Sequence, residues 1–144
     1  NANQAIERII NFFPQEKHPQ LLLNLSLNLR AILSQRRLPN TMGGHSVAIE
    51  ILLNEGLIKN LIHEGRIKEI KDCIEKSRDQ GMQSFDQHLA DMVIADLITE
   101  DVALAEADNP SNLRLTLKQL HIGGGKRSES APINSLGIIN KQQF

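Results

Sequence analysis

The sequence predicts a mainly α-helical fold with a minor β component, an α+β arrangement of about six helices and one short β-hairpin or strand. Most apolar residues recur at spacings of three and four, the period of a helix with one buried face. One stretch, residues 47–53, alternates apolar residues with smaller or polar ones, as a strand does. The chain has 144 residues, the usual size of one domain, and its 40% apolar and 23% charged residues are typical of a protein that folds around a core.

The first two predicted elements are helices. Residues 2–13 carry an apolar stripe that Pro14 ends, because proline disfavours helix in the residue before it. The stripe consists of Ile6, Ile9, Ile10 and Phe13. Residues 21–33 alternate apolar and polar side chains, which alone would favour a strand. The run from 19 to 37 is much longer than a typical strand of about 5 to 6 residues. It is also rich in leucine, with Ile32 as its β-branched residue, so we predict a buried helix there.

A turn and a strand follow that helix. Residues 38–40 leave the helix, and Gly43 with Gly44 provides the turn. The strand pattern is carried by Val47, Ile49, Ile51 and Leu53. It predicts the strand, or one arm of a hairpin, that supplies the β component.

The second half of the chain is predicted to be helical, and local capping signals mark where its helices begin and end. One helix buries Ile67, Ile70, Ile74 and Ser77, and its outer face carries Lys68, Lys71, Asp72, Glu75 and Lys76. Gly81 suits a helix C-terminus, and Ser84 with Gln87 forms a capping box. That box opens a helix whose inward residues are Phe85, Leu89 and Met92.

Two more helices complete the prediction. Thr99 caps a short helix that runs through Ala107. Asn109 and Pro110 supply a cap and a first-turn proline before Leu113, Leu117 and Leu120. Residues 122–144 lack periodicity and begin with three glycines in a row at 123–125, so we predict one domain over 1–121 and a flexible tail over 122–144.

Composition and motif spacing reveal no catalytic site and no metal site. The formal charge of −1 lacks the basic excess of a nucleic-acid binder, and no apolar run approaches the roughly 20 residues that span a bilayer. The single cysteine, Cys73, is consistent with a reducing cytoplasm and is predicted to be a core thiol. Residues 123–128 imitate a phosphate-binding loop without its spacing, since Arg127 stands where a hydroxyl is needed. The histidines at 18, 45, 63, 88 and 121 are dispersed, and His88 is predicted to pack, partly exposed, on a helix.

A short helix bounded by Gly56 and Gly65 is the candidate functional segment. Its apolar residues are Leu57, Ile58, Leu61 and Ile62, and its polar residues are Lys59, Asn60, His63 and Glu64. The apolar side can complete the core while the polar side contacts a partner. We therefore take Leu57 to Glu64 as the candidate partner-contact residues.

At this segment the chain resembles the PilT/PilU family of type IV pilus retraction ATPases. The family signature Ala-Ile-Arg-Asn-Leu-Ile-Arg-Glu aligns with Leu57–Glu64, where Ile58, Asn60, Leu61, Ile62 and Glu64 match. The departures are Leu57 for Ala, Lys59 for Arg and His63 for Arg. The resemblance extends over about residues 2–120, through the stretches 9–14, 25–36, 81–87 and 109–114. The sequences of residues 9–14 and 76–81 are more similar to the PilU-like branch of the family.

The resemblance implies the C-terminal lobe of a RecA-like secretion or retraction ATPase. Residues 1–3 resemble the end of the family's His box, so its histidine, the Walker motifs and the other groups that bind ATP and Mg are expected upstream, in a longer protein that does not start at Asn1. No ATP-binding residue is assigned here, and this fragment alone is not expected to hydrolyse ATP.

The family's properties define the expected partners and location. It implies a hexameric motor for pilus retraction and twitching motility, formed as a homo-hexamer or by co-assembly with a related retraction ATPase. It also implies a location at the cytoplasmic face of the inner membrane and contact with a membrane platform protein. Because lysine cannot reproduce a bidentate guanidinium contact and histidine is mostly uncharged at neutral pH, the departures at Lys59 and His63 fit an accessory motor.

Two other interpretations stay open from the residues alone. The chain could be a non-enzymatic helical interaction module whose apolar faces bind a partner. It could also be a fragment of a pilus assembly or type II secretion ATPase. A Walker A loop upstream of Asn1 would decide for a motor, whereas a start codon at that point would decide for the module.

Overall fold

The computed structural model describes residues 1–123, with side chains described through Leu120. Within that range seven α-helices surround a two-stranded antiparallel sheet. The elements are α1 (Ala2–Asn11), α2 (His18–Asn28), β1 (Ala31–Pro39), β2 (His45–Leu53), α3 (Gly56–His63), α4 (Ile70–Lys76), α5 (Phe85–Ile94), α6 (Glu100–Glu106) and α7 (Pro110–Gly123). Short 3₁₀ turns cover residues 15–17, 67–69 and 78–80. The mainly helical α+β prediction is confirmed, and the predicted tail falls almost wholly outside the described residues.

The single buried helix predicted over residues 19–37 is wrong. Helix α2 ends at Asn28, Leu29 is already extended, and Ala31 begins β1. Nor is α2 buried as a whole: Ser26 is its only buried residue, and one leucine face packs on the core while Leu23 and Leu27 are exposed. The alternating pattern after residue 30 was a true strand signal, because β2 supplies the hydrogen bonds that a lone strand lacks.

The hairpin pairs β1 with β2 from Ala31↔Leu53 to Pro39↔His45. Its tight turn contains Gly43 at φ +79°, and the side-chain oxygen of Asn40 accepts the Gly44 amide at 2.7 Å. The strand predicted at 47–53 is confirmed within β2. Its most buried positions, however, are the even-numbered Ala48, Glu50 and Leu52, because the even face points at the helices.

The two outer edges of the hairpin differ. On β2, the backbone of Ile51 exchanges two hydrogen bonds with Gln83, at 2.8 and 3.0 Å, and the Gln83 side chain donates to the Ile49 carbonyl. On β1, the alternation of the ladder turns the backbone groups of residues 31, 33, 35 and 37 outwards. No hydrogen-bond partner meets them among residues 1–123, so this open edge of β1 can accept another strand.

Apolar side chains form two separate clusters. The first cluster joins α1, β2, α3 and α4 and contains Ala2, Ile6, Leu52, Ile58, Leu61, Ile62, Ile67, Ile70, Ile74 and Met82. The second cluster joins the turn end of the hairpin to α5, α6 and α7 and contains Leu38, Ala48, Phe85, Leu89, Ala90, Met92, Ile98, Ala103, Leu113 and Leu117. The hairpin takes part in both, so it is the common support of the two halves.

The predicted N-terminal caps are confirmed, whereas Gly81 does not end an α-helix: α4 ends at Lys76, and Gly81 follows the 3₁₀ turn over residues 78–80. The capping box of Ser84 and Gln87 opens α5, Thr99 accepts the Val102 amide at the start of α6, and the Asn109 side chain accepts the Asn112 amide in α7. Some predicted apolar faces are narrower than expected: Leu120 is 45% exposed and Phe13, beyond the end of α1, is 46% exposed. Among residues 1–123, no helix has both the length and the apolar composition of a membrane span.

Candidate functional site

Helix α3 forms the candidate site, and two glycines bound it as predicted. Gly56 and Gly65 have φ of +50° and +71°, a region that side chains other than glycine rarely adopt. At the C-terminus, Gly65 and Arg66 donate back to the carbonyls of Ile62 and Leu61. A Cβ on Gly65 would lie 3.3 Å from the side chain of Leu22, so the end of α3 packs closely on α2.

One side of α3 anchors the helix and the other is exposed. Ile58, Leu61 and Ile62 are at most 2% exposed and belong to the first cluster. Leu57 is 58% exposed, which makes it part of the surface rather than of the core. The exposed residues Leu57, Lys59, Asn60, His63 and Glu64 are named here the α3 surface. The structure brings these five together on a rigid support.

An arginine just beyond the helix organises the acidic end of the α3 surface. Arg66 makes two parallel hydrogen bonds to Glu69, at 2.7 and 2.6 Å, and a third to Glu64 at 2.9 Å. The bond to Arg66 holds the pKa of Glu69 below its usual value. Arg66 was not singled out from the sequence, although an Arg and a Glu three residues apart are a detectable signal.

A groove of about 520 Å³ lies beside α3. Its lining includes Leu57, Arg66, Cys73, Lys76 and Met82. The predicted core position of Cys73 is therefore only partly right, since its side chain packs against the first cluster but is half-buried. Among residues 1–123 no group of three or more histidine, cysteine, aspartate or glutamate side chains is placed to hold a metal ion.

A second polar feature, which the sequence did not indicate, lies between the two clusters. We name it the polar seam, and it consists of Asn1, Arg36, Glu50, Lys71, Asp86 and Asp108. Glu50 is only 2% exposed and accepts the amide of Ala2 at 2.6 Å. Burial raises the pKa of Glu50, partly offset by that hydrogen bond. Its neighbours come from distant parts of the chain, so no local motif marks the seam.

Comparisons with known proteins identify both sequence relatives of the chain and a solved structure that is similar to it. No family model matches it. It is 44% identical over 137 residues to the type IV pilus ATPase PilU of Pseudomonas aeruginosa, covering 94% of this chain and 35% of PilU. It is 30% identical over 112 residues to the type IV pilus retraction ATPase PilT of the same organism, covering 78% of this chain and 33% of PilT. A crystal structure of the pilus retraction motor PilT with bound ADP matches with a TM-score of 0.70 at 30% identity, over 78% of this chain and 31% of that one.

In both fold and sequence the chain is similar to one part of the type IV pilus ATPases. The chain belongs to the PilT/PilU family of type IV pilus ATPases. This confirms the resemblance that was based on the α3 signature. The identity is 44% to PilU and 30% to PilT, which agrees with the PilU-like sequences of residues 9–14 and 76–81. The chain spans about a third of the length of these relatives.

Proposed function

We propose that this chain is the C-terminal part of a hexameric ATPase that drives type IV pilus retraction and twitching motility, and that it transmits motion through the α3 surface. The support is the family membership together with the geometry of α3. Three buried side chains fix the helix to the first cluster, while five neighbouring residues face outwards. A force applied to such a surface reaches the core instead of bending a loop.

ATP and Mg belong to the parent protein in this proposal, outside the residues described here. The pilus motor PilT that matches this chain was crystallised with ADP, which supports a nucleotide-binding parent. We place residues 1–121 in the motor domain and residues 122–144 outside it. The motor would be a homo-hexamer or a co-assembly with a related retraction ATPase, and it would act at the cytoplasmic face of the inner membrane.

The hairpin supplies the second argument for a larger parent. Its odd-numbered face leaves several apolar side chains uncovered: Leu33 is 70% and Val47 is 44% exposed, and Ile49 and Ile51 are half-buried. The polar residues Gln35 and Arg37 share this face. This face adjoins the open edge of β1. Exposed apolar sheet faces seldom stay free in soluble proteins. We assign the ATP-binding part of the parent as the element that covers this face.

The chemistry of the α3 surface suits a protein partner. Lys59 and Glu64 present opposite charges, Asn60 offers amide groups, and Leu57 adds an exposed apolar contact. Mixed apolar and polar groups of this kind are typical of protein interfaces. The membrane platform protein of the pilus is the partner we assign to it.

The test is a double substitution, Lys59→Ala with Glu64→Ala, in the intact parent protein. Both side chains are exposed, and Arg66 keeps its bidentate bond to Glu69. We expect twitching to fall strongly while most of the ATPase rate remains. A matched control, Glu100→Ala with Lys118→Ala, removes one exposed charge of each sign from α6 and α7 and should leave both readouts unchanged. Normal twitching in the Lys59 and Glu64 variant would overturn the assignment.

A further inference from the structure

The even-numbered face of the hairpin changes character along its length. At one end Ile32 pairs with Leu52, in or beside the first cluster, and towards the other end Leu38 and Ala48, which pair with Ser46 and Arg36, belong to the second. Between these ends the face carries the side chains of Ser34, Arg36 and Glu50. Apolar contact between the two clusters is therefore interrupted in the middle of the hairpin by the polar seam.

Asp108 is the centre of the seam. Its side chain is 12% exposed and accepts hydrogen bonds from Arg36 on β1 at 2.7 Å and from Asn1 at 3.1 Å. The ammonium group of Lys71 on α4 lies 3.4 Å away. Burial alone would raise the pKa of Asp108, but the bonds from Arg36 and Asn1 and the charge of Lys71 hold it below its usual value. One carboxylate thus joins three elements from both halves of the molecule.

The backbone at the same point is held by the second half. The amides of Asp108 and Asn109 donate to the two carboxylate oxygens of Asp86 on α5, at 2.7 and 2.9 Å. The guanidinium of Arg36 lies 4.1 Å from the centre of the Phe85 ring and also donates to the Glu106 carbonyl. The segment between α6 and α7 is therefore fixed to α5, and only the bonds from Asn1 and Lys71 tie Asp108 to the first half.

We propose that the polar seam is a hinge along which the first and second clusters move as two bodies. Close-packed apolar clusters resist internal deformation, because separating them exposes apolar surface. Charge-assisted hydrogen bonds can instead be exchanged for bonds to water. Local opening should therefore follow the seam, with the hairpin as the continuous strap between the bodies. This inference concerns the fold and does not depend on the proposed motor function.

The test is hydrogen exchange of the full chain at low denaturant, followed in α3 for the first body and in α5 for the second. Asp108→Asn removes the charge at the centre of the seam and keeps the backbone bonds to Asp86. We expect the ratio of exchange rates between α5 and α3 to change by about tenfold, the size of one lost charged hydrogen bond. Lys71→Gln removes only the charge of the half-exposed Lys71 side chain beside Asp108. It should change the same ratio in the same direction, but by a smaller factor.

The control is Glu69→Gln, which removes the charge of the exposed Arg66–Glu69 pair, beside Ile67 and Ile70 in the first body, and should leave the ratio unchanged because exposed ion pairs contribute little. If Asp108→Asn and Lys71→Gln accelerate exchange in α3 and α5 by equal factors, the chain unfolds as one unit and the hinge is refuted. If neither variant changes the exchange rate of α3 or of α5, the hinge is also refuted. Should Asp108→Asn fail to fold, the Lys71→Gln ratio decides alone.

Discussion

The backbone amide of Ile49 donates a hydrogen bond of 2.8 Å to Nδ1 of His88. Because a backbone N–H can only donate, Nδ1 must be the unprotonated nitrogen and the ring must be neutral. Burial lowers the pKa of His88, and the nearby charge of Asp91 opposes this only in part. A side chain of α5 thus completes the outer edge of β2, and its ionisation acts directly on the sheet.

The first prediction follows from the direction of that shift. Since the folded pKa lies below the ordinary histidine value of 6.5, the unfolded chain binds more protons between the two pKa values. The contribution of His88 is therefore complete above the unfolded pKa and is lost as the pH falls towards the folded one. Urea unfolding followed by circular dichroism should show a larger loss of stability between about pH 7.5 and about pH 5.5 in the wild type than in His88→Asn.

Asparagine is the matched replacement, because its Oδ1 lies where Nδ1 does and accepts the Ile49 amide without titrating. His88→Ala removes the acceptor altogether and should be less stable at both pH values. Parallel pH profiles for the wild type and His88→Asn would contradict the role of the ring.

The second prediction concerns the buried carboxyl of Glu50. Its pKa is raised by burial, so the folded chain binds more protons than the unfolded chain between 4.5 and the raised value. Stability therefore falls as the pH rises through that window. Glu50→Gln keeps an oxygen for the Ala2 amide without the charge, and it should be more stable than the wild type at neutral pH.

Glu50→Ala gives the opposite sign. It leaves the Ala2 amide buried without an acceptor, at a cost of about 1–3 kcal/mol in the free energy of unfolding. Both variants are measured by urea unfolding at neutral pH. Glu50→Gln falling to the level of Glu50→Ala would mean that the charge itself stabilises the fold.

The third prediction concerns the C-terminus of α2. The side-chain nitrogen of Asn54 donates to the carbonyls of Ser26 and Leu29, at 3.0 and 2.9 Å. Asn54→Ala should lower the free energy of unfolding by about 1–3 kcal/mol, because these half-buried or buried carbonyls lose their donor. Asn54→Asp should cost more, since a carboxylate would face carbonyl oxygens.

A control for this prediction lies in the same helix. The Asn28 side chain donates to the Asn24 carbonyl at the surface of α2, so Asn28→Ala should change the stability by no more than about 0.5 kcal/mol. Thermal unfolding compares the three variants. Equal losses for Asn54→Ala and Asn28→Ala would show that Asn54 does not act as a buried cap.

The fourth prediction concerns the uncovered odd-numbered face of the hairpin. On its own, the 144-residue chain should self-associate through the uncovered face of the hairpin. Leu33→Lys places a charge in the middle of that face and should shift sedimentation towards the monomer. Leu115→Lys, which replaces an exposed leucine on α7, is the control and should not. Equal effects of the two substitutions would argue against association through the hairpin.

Most helices could be predicted because their ends are marked locally. Ser84, Thr99 and Asn109 each accept the amide three residues ahead, and Gly56 with Gly65 supplies the backbone angles that bound α3. Such signals act within one helical turn, so the sequence alone displays them.

The strand β1 could not be predicted in the same way. The leucines at 22, 25 and 29 have helical spacing, while polar residues at even positions give the same stretch a strand-like alternation. The change from helix to strand at Leu29 depends on pairing with β2 and on Asn54, which donates to Leu29 from 25 residues along the chain. Local propensity cannot register a partner at that distance.

The helix that carries the candidate site was predicted in outline, and the seam was not. The bounds and polar side of α3 follow from periodicity, although Leu57 is exposed where an apolar residue was expected inside. The seam joins Asn1 to Asp108, which are 107 positions apart, and Arg36 to Asp108, which are 72 apart. Contacts between residues so far apart along the chain leave no periodic pattern in the sequence, so only the folded structure reveals them.

The amide of Ala2, a residue with no exposed surface, is bonded to Glu50, and the side chain of Asn1 is bonded to Asp108. This arrangement bears on recombinant production. An affinity tag fused directly to Asn1 would leave from an exposed amino group, but a protease cutting there would have poor access, because Asn1 and Ala2 are held by their bonds to Asp108 and Glu50. A flexible spacer before Asn1 keeps the tag accessible and leaves Ala2 in place.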